Sequence, residues 1–332
     1  MGQRPTIADV AREAGVSKTL ASFALNDRSG VSAASKERIL EAATRLGYYG
    51  DPFARALRTG ITNIFGIVVR NMRNPYFIDV MEGAQEAANE VEATIVAVNS
   101  NYSEDREMEH VRRLAQQRVS GVAITPVGSG PGIGLWQELC PELPVVVVNS
   151  PRKFTGPKVR HVDHDEENSV EAAVAHLASL GHPRLTFLTP PAEFGMDNER
   201  IDAFLSSCKT HRVAPDIFPV ELRLETVERV IGSALRSENP PTAIITNSDY
   251  TAHGIYHAAR ACGLRIGVDL SVVGYDDLPT SELLDPPLTT LRINRHSIGR
   301  HIFEQLSAQD NIAPHREPVE FVRRESTGPY RP

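Results

Sequence analysis

Apolar residues recur with two different periods, and the change from one to the other near residue 61 divides the chain. In the first stretch the spacing is helical. Ile7, Val10, Ala11 and Ala14 form an apolar stripe that stops at Gly15, and Thr6 followed three residues later by Asp9 resembles a capping box with an acid in place of the usual Glu. Ser17 caps a second helix after only "GV", a connection too tight for an ordinary helix pair and right for a helix-turn-helix. A third helix is predicted from Ser32 to Gly47, with Ile39, Leu40, Ala43 and Leu46 on its apolar face. Asp51 as N-cap and Pro52 at the first helical position open a fourth short helix, "FARALR", stopped by Gly60. A segment of about nine residues does not hold a helix unaided, so this one is expected to form only against a partner.

Beyond residue 61, strand-like runs alternate with amphipathic helical segments. The runs are "IFGIVV" (64–69), "TIVAVN" (94–99), "GVAIT" (121–125), "VVVVN" (145–149), "LTFLT" (185–189), "AIIT" (243–246) and "SVVGY" (271–275). Segments such as "NSVEAAVAHLASLG" and "YTAHGIYHAARACG" lie between them. That alternation predicts α/β structure, doubly wound parallel sheets with helices on both faces. The strands are too many for one small sheet, so two lobes are expected, with ligands held in the crevice beyond the strand ends.

Length and charge refine this picture. At 332 residues, two or three domains are the prior. Residues 1–60 carry nine basic and six acidic side chains, a balance of +3, so with a net charge of −7 the remainder carries −10. A basic head on an acidic body points to a polyanion partner for the head alone. No apolar run approaches the roughly 18 residues of a membrane helix, and the N-terminus lacks the apolar stretch of a secretory signal, so no membrane partner and a cytoplasmic, nucleoid-associated location are expected. Cys140, Cys208 and Cys262 are widely spaced without a CxxC pair, which suits a reducing compartment better than a disulfide framework or a zinc site.

The ordered segments "TIADVAREAGVSKTLASFALND", "VSAASKERILEAATRLGYYGDPFARALRTG", "IFGIVVRNMRNPYF", "AQQRVSGVAI", "HLASLGH" and "SVVGYDDLPTSELLDPPLTTLR" together resemble the LacI/GalR (lactose-repressor) family of bacterial transcription regulators. The resemblance runs from about Thr6 to Arg324. It implies a helix-turn-helix head (1–50), a hinge helix (51–60) and a periplasmic-binding-protein-like effector and dimerisation body (61–332). The body would comprise an N-lobe of about 61–162 and 291–317 and a C-lobe of about 163–290 and 318–332. It further implies a repressor that binds a palindromic double-stranded DNA operator as a homodimer and is controlled by a small effector of the sugar, polyol or nucleoside class. No cofactor is implied. The tail is too short for the heptad helix that tetramerises some relatives.

In a helix-turn-helix the first turn of the second helix faces base edges. Lys18 and Thr19 are the expected base contacts, with Ser17 and Ser22 better suited to phosphates, and Thr6 and Asn26 counted with the same DNA-facing set. Phe23 departs from the family, many of whose members carry arginine there, and Leu20 stands where threonine is frequent. Two readings remain for Phe23: it packs on thymine methyls, or a rotated helix buries it, with Leu20, in its own domain. By resemblance Leu57 is the hinge leucine that wedges between central base pairs, Ala54 lets two hinges approach, and Arg55 and Arg58 reach phosphates.

Position by position, the resemblance assigns the effector to Arg70, Phe77, Asn149, Arg200, Ser248, Asp249 and Asp276. An aromatic plate with Arg, Asn and Asp suits a polyhydroxylated ring, and a phosphate-bearing ligand also fits. Phe77 also reads as core, Arg200 as a surface ion-pair partner, and Asp276 and Asp277 as turn caps. Asp276 is assigned to the ligand and Asp277 to structure. Ile293 replaces the glutamine of some sugar-binding relatives.

Two other features bear on function. "VGSGPGIG" (127–134) fits neither phosphate-loop spacing and reads as a mobile rim loop. His161, Asp163 and Asp165 share one face of an extended segment but lack a fourth ligand, so no metal is expected and Asp165 or Asn168 is taken to start a helix. An exported solute-binding protein would share the body but not the head. An enzyme would need machinery, and no GxSxG elbow, P-loop, HExxH or dinucleotide fingerprint is present.

Overall fold

The computed structural model describes residues 5–25, 29–48, 62–150, 152–191, 198–309 and 312–331. They fall into two compact units, Met1–Asn63 and Ile64–Pro332.

The smaller unit contains α1 (Ile7–Glu13), α2 (Lys18–Leu25) and α3 (Ala33–Leu46). Asp9 reaches back to accept the Thr6 N–H at 2.9 Å, which satisfies one of the donors a helix start leaves open. Gly15, at φ +65°, turns the chain between α1 and α2, and the Ser17 hydroxyl accepts the Leu20 N–H at 3.2 Å. Ser32 caps α3, and Gly47 ends it in the left-handed conformation that glycine adopts without a Cβ clash. The three helices meet on Val10, Ala11, Ala14, Ala21, Ala24, Ile39, Ala42 and Ala43, a core of mostly small residues that lets them pack closely. Leu40 departs from the expected apolar face: it is exposed, and Ala42 takes the buried position instead.

Six parallel strands form the first sheet of the larger unit, in spatial order β11 (His315–Glu317), β5 (Val159–His164), β4 (Val145–Val148), β3 (Val122–Ile124), β1 (Ile64–Val69) and β2 (Thr94–Asn99). Four parallel strands form the second, in order β7 (Ala214–Pro219), β6 (Arg184–Thr189), β8 (Ala243–Thr246) and β9 (Ser271–Val273). Central strands such as "VVVV" are buried on both faces, the signature of helices on either side. The connecting helices are α4 (Tyr76–Asn89), α5 (Glu104–Gln116), α6 (Pro131–Leu139), α7 (Glu166–Ser179), α8 (Asn198–His211), α9 (Leu224–Ala234), α10 (Asp249–Ala261) and α11 (Arg295–Ser307).

The chain leaves the first sheet after β5 and enters the second through α7. It returns after β9 by way of β10 (Thr290–Ile293) and α11 to β11, and then crosses again as β12 (Val319–Val322), antiparallel to β10. One continuous apolar cluster runs through this junction, from Phe65, Val146 and Val148 to Phe187, Ile245 and Tyr275. Helices α4 and α11 touch through glycine: a Cβ on Gly83 would lie 2.1 Å from the His296 carbonyl oxygen, and one on Gly299 would lie 2.0 Å from that of Val80. This close contact fixes the start of α4, where two pocket aromatics sit.

The expected strands at 64–69, 94–99 and 243–246 coincide with β1, β2 and β8. Unforeseen were β5, read only as an extended approach, together with β7, β10, β11 and β12. The glycine-rich stretch at 127–134 is a correction: it is a short turn running into α6, with Pro131 at its first position. The turn is fastened from α5, where Glu107 accepts the N–H groups of Val127 at 2.8 Å and Gly132 at 2.9 Å, and Glu104 accepts that of Ser129 at 2.5 Å. Among the described residues no helix is long and apolar enough to cross a membrane.

Candidate functional site

On α2, Ala21 and Ala24 point into the head core, whereas Ser17, Lys18 and Thr19 are exposed and Ser22 and Phe23 are half-buried. At 3.6 residues per turn Phe23 lies roughly 200° around the helix from Ala21, one turn after Thr19. Leu20 is packed against the core. The exposed side chains of Ser17, Lys18 and Thr19 present a cation and two hydroxyls, with Phe23 half-buried one turn on, a set able to meet phosphates, base edges and thymine methyls.

In the larger unit a pocket is lined by Arg70, Asn74, Tyr76, Phe77, Tyr102, Thr125, Asn149 and His164 from the first-sheet side. Arg200, Leu222, Asn247, Ser248, Tyr250, Thr251 and Asp276 complete it from the second. Most sit at or just past carboxyl ends of parallel strands, where the unpaired ends of the sheet leave a crevice. Arg70 follows β1 and donates from Nη2 to the Asn149 carbonyl at 2.8 Å. Asn149 follows β4 and holds φ +47°, and Asp276 holds φ +109°. Non-glycine residues in that region cost energy and cluster where a fold serves a ligand.

Arg200 is the most constrained group. Its Nε donates to Glu166 Oε2 at 2.7 Å, Nη2 to Oε1 at 3.0 Å, and Nη1 to the Asn247 carbonyl at 2.9 Å. The guanidinium also lies 3.8 Å from the centroid of the Tyr275 ring, whose hydroxyl donates to Glu166 Oε2 at 2.5 Å. Burial pushes the Glu166 carboxyl up, but the Arg200 charge and the bond from His164 outweigh it and hold the group well below the usual range. Tyr76 bonds His164 Nε2 at 2.9 Å, and burial raises its phenol, which keeps it neutral. Asp276 is the opposite case. Burial first, then the charge of Asp249, raises its carboxyl well above the ordinary range, and Oδ2 has no hydrogen-bond partner among the described residues. The pocket therefore offers an aromatic wall from Tyr76 and Phe77, donors from two arginines, and one open acidic oxygen.

Residues 6–51 match the description "bacterial regulatory proteins, lacI family", and residues 174–327 match a periplasmic-binding-protein-like domain. The HTH-type transcriptional repressor PurR of Aliivibrio salmonicida is 29% identical over 307 residues, covering 91% of each chain. PurR of Aliivibrio fischeri is 29% identical over 327 residues, covering 95% of this chain and 94% of that one. This chain belongs to the LacI family. Among solved structures, the lac repressor dimer bound to operator and the anti-inducer ONPF superposes with a TM-score of 0.85 at 24% identity, over 98% of this chain and 100% of that one. A complex of the transcriptional regulator CelR with cellobiose gives 0.71 at 23% identity, over 97% and 100%. The family member described here is a DNA-binding transcriptional repressor and not an enzyme.

Set against the family pattern, Arg70, Phe77, Asn149, Arg200, Ser248 and Asp276 are brought together around the pocket. Phe77 serves twice, since it also belongs to the apolar core. Ser248 lines the pocket while its hydroxyl caps α10 by accepting the Thr251 N–H at 3.3 Å. Arg200 is no surface partner: its ion pair with Glu166 is buried. Asp249 requires correction. It is fully buried behind the pocket wall and accepts from Leu278 N–H at 2.9 Å, Ser281 Oγ at 2.5 Å and Thr290 Oγ1 at 2.6 Å, so no ligand reaches it. Asp277 pairs with Arg292 and Arg324, each at 2.7 Å. Asp165 stands at the N-cap of α7 and accepts from Asn168 Nδ2 at 2.7 Å. Thr6, Ser17, Lys18, Thr19, Ser22 and Phe23 all lie in the head, with Thr6 at the start of α1. Asn26, Ala54, Arg55, Leu57 and Arg58 lie outside the described residues.

Several pocket residues were not anticipated. Tyr76 adjoins Phe77 in "NPYF" and Asn247 adjoins Ser248 in "TNSDY", so proximity to a chosen residue was an available signal. Glu166 gave none, because its partner Arg200 is 34 residues away on another helix.

Proposed function

We propose that this repressor binds a palindromic operator as a homodimer, that Lys18, Thr19 and Phe23 read bases, and that a small ligand in the Arg70–Arg200–Asp276 pocket controls the binding. The observation that carries the reading is the pairing, in one chain, of an exposed polar first turn of α2 with a polar pocket at the strand ends of the larger unit. Thr6, Ser17 and Ser22 serve as phosphate-side contacts, which set register without reading sequence. Asn26 extends the reading face, and Ala54, Arg55, Leu57 and Arg58 form the hinge that enters the minor groove at the operator centre. Sugar-class effectors fit an aromatic wall with convergent donors and an acid, and solved relatives in complex with cellobiose and ribose add support. A repressor of this kind works in the cytoplasm, on the nucleoid.

Footprinting the protein on the region upstream of its own gene tests the reading. The expected result is one protected palindrome whose affinity falls steeply with salt, since phosphate contacts release counterions. Leu57→Ala should weaken that site while non-specific binding persists, and equal loss of both would remove the hinge from the account. Uniform weak protection of all fragments, with no palindrome, would defeat the proposal as a whole.

A further inference from the structure

The effector pocket contains a device that the general scheme does not require. Arg200 would ordinarily be the group that recruits an anion, because a guanidinium binds carboxylate and phosphate in bidentate fashion. Here that fork is already filled by a carboxylate of the chain itself. Glu166 takes Nε and Nη2 at 2.7 and 3.0 Å, and the third direction, Nη1, goes to the Asn247 carbonyl. Glu166 is in turn held by the Tyr275 hydroxyl at 2.5 Å, and that hydroxyl lies 3.2 Å from the hydroxyl of Ser169. Both partners of the ion pair are buried, so neither is exchanged cheaply for water. The Tyr275 ring beneath the guanidinium fixes its plane.

Across the pocket Asp276 presents the complementary deficit: a buried carboxyl oxygen with no donor among the described residues. Arg70 places one nitrogen, Nη2, on the Asn149 carbonyl. A ligand entering this space meets the Asp276 carboxyl and an Arg200 whose fork is already filled by Glu166, which is not itself among the residues lining the pocket. Hydroxyl or N–H donors would satisfy Asp276 Oδ2, whereas a phosphate or carboxylate would bring mainly acceptors and would find the Arg200 fork taken.

Resting on the effector reading above, we infer that Glu166, supported by Tyr275, is a specificity-determining residue that pre-pairs Arg200 and tunes the pocket to an uncharged, donor-rich ligand, a free sugar or nucleoside, against its phosphorylated form. Glu166 acts through Arg200 and positions it. Tyr275 has the same standing one step further out.

The test is a calorimetric and thermal-shift panel on the full chain with matched pairs: ribose and ribose 5-phosphate, glucose and glucose 6-phosphate, adenosine and AMP, guanosine and GMP. Wild type should bind a neutral member about tenfold more tightly than its phosphate, the scale of one charge-assisted hydrogen bond forgone. In Glu166→Gln that preference should collapse or invert while affinity for the neutral member changes by only a few-fold. If that variant does not fold, Tyr275→Phe, which keeps the ring and removes one bond to Glu166, should narrow the preference in the same direction. A wild type that binds the phosphate as tightly as its parent, with binding lost in Asp276→Ala, overturns this inference and leaves the effector reading standing. So does an unchanged preference in a folded Glu166→Gln protein. Binding of no panel member, or binding indifferent to Asp276→Ala, overturns the effector reading itself and the inference with it.

Discussion

Phe23 and Leu20 stand three residues apart on one short helix and are both half-buried, because a step of three residues turns a side chain only about 60° around the axis; Leu20 packs against the head core. Spacing alone located Phe23 on the reading face but could not choose between DNA and core, since the choice depends on where α1 and α3 pack. On the base reading proposed above, Phe23→Ala should weaken specific operator binding by about 1 kcal/mol, through lost apolar contact with bases, more than it lowers the melting temperature. Leu20→Ala should do the reverse and lower the melting temperature of the head. Asp249 shows the converse limit: position in the family pattern placed it near the ligand, and only the packed structure reveals three internal donors around it. Burial raises its carboxyl to about 6. The unfolded value is about 3.9, so the fold takes up this proton first. Its contribution to stability is fully present below about pH 4 and is lost as pH rises through about 6. Asp249→Asn lacks that response and also sets an amide donor against donors, at a cost of about 1–3 kcal/mol. Urea unfolding should therefore show a deficit at pH 7 that widens, by up to about 2 kcal/mol, at pH 4.5. A deficit that shrinks on acidification would mean the carboxyl is not held high in the fold.

At the scale of elements, legibility followed apolar content. β1, β2 and β8 stand out as apolar runs flanked by helices, and their ends were read to the residue. β7 has proline at its second and last positions and lies at the margin of its sheet, where a missing N–H is tolerated, so its sequence looks unlike a strand. β11 is three polar residues, a strand only because β5 pairs with it. The start of α6 escaped for another reason. Its glycines speak for a loop, while the groups that order it come from α5, about one turn of helix apart. Both oxygens of Glu107 accept backbone N–H groups, and burial outweighs those bonds to raise its carboxyl to about 7. Glu107→Gln offers one acceptor where two are used, so it should cost about 1–3 kcal/mol. Amide exchange at Val127 and Gly132 should accelerate in the variant while exchange in the second sheet stays unchanged. Unchanged exchange at both amides would show that the turn holds itself.

For the whole molecule the charge division is the most informative quantity that composition supplies, because it assigns the polyanion to the head and leaves the ligand to an acidic body. What composition cannot supply is coupling, which depends on three chain crossings between two sheets and therefore on contacts of long sequence separation. If one ligand and one operator bind the same protein and influence each other, linkage requires equal factors in both directions: whatever the ligand does to operator affinity, the operator does to ligand affinity. The expected factor is about 5–150, the usual span of such couplings. Operator affinity should be measured with and without saturating ligand, and ligand affinity with and without saturating operator, at one salt concentration because DNA binding alone is steeply salt-dependent. Arg200→Ala, which leaves Glu166 as an unpaired buried charge, should weaken ligand binding and reduce both factors together, while operator affinity without ligand stays within a few-fold of wild type. Two factors that disagree would exclude a single shared equilibrium, and equal factors that survive Arg200→Ala would move the controlling site away from this pocket.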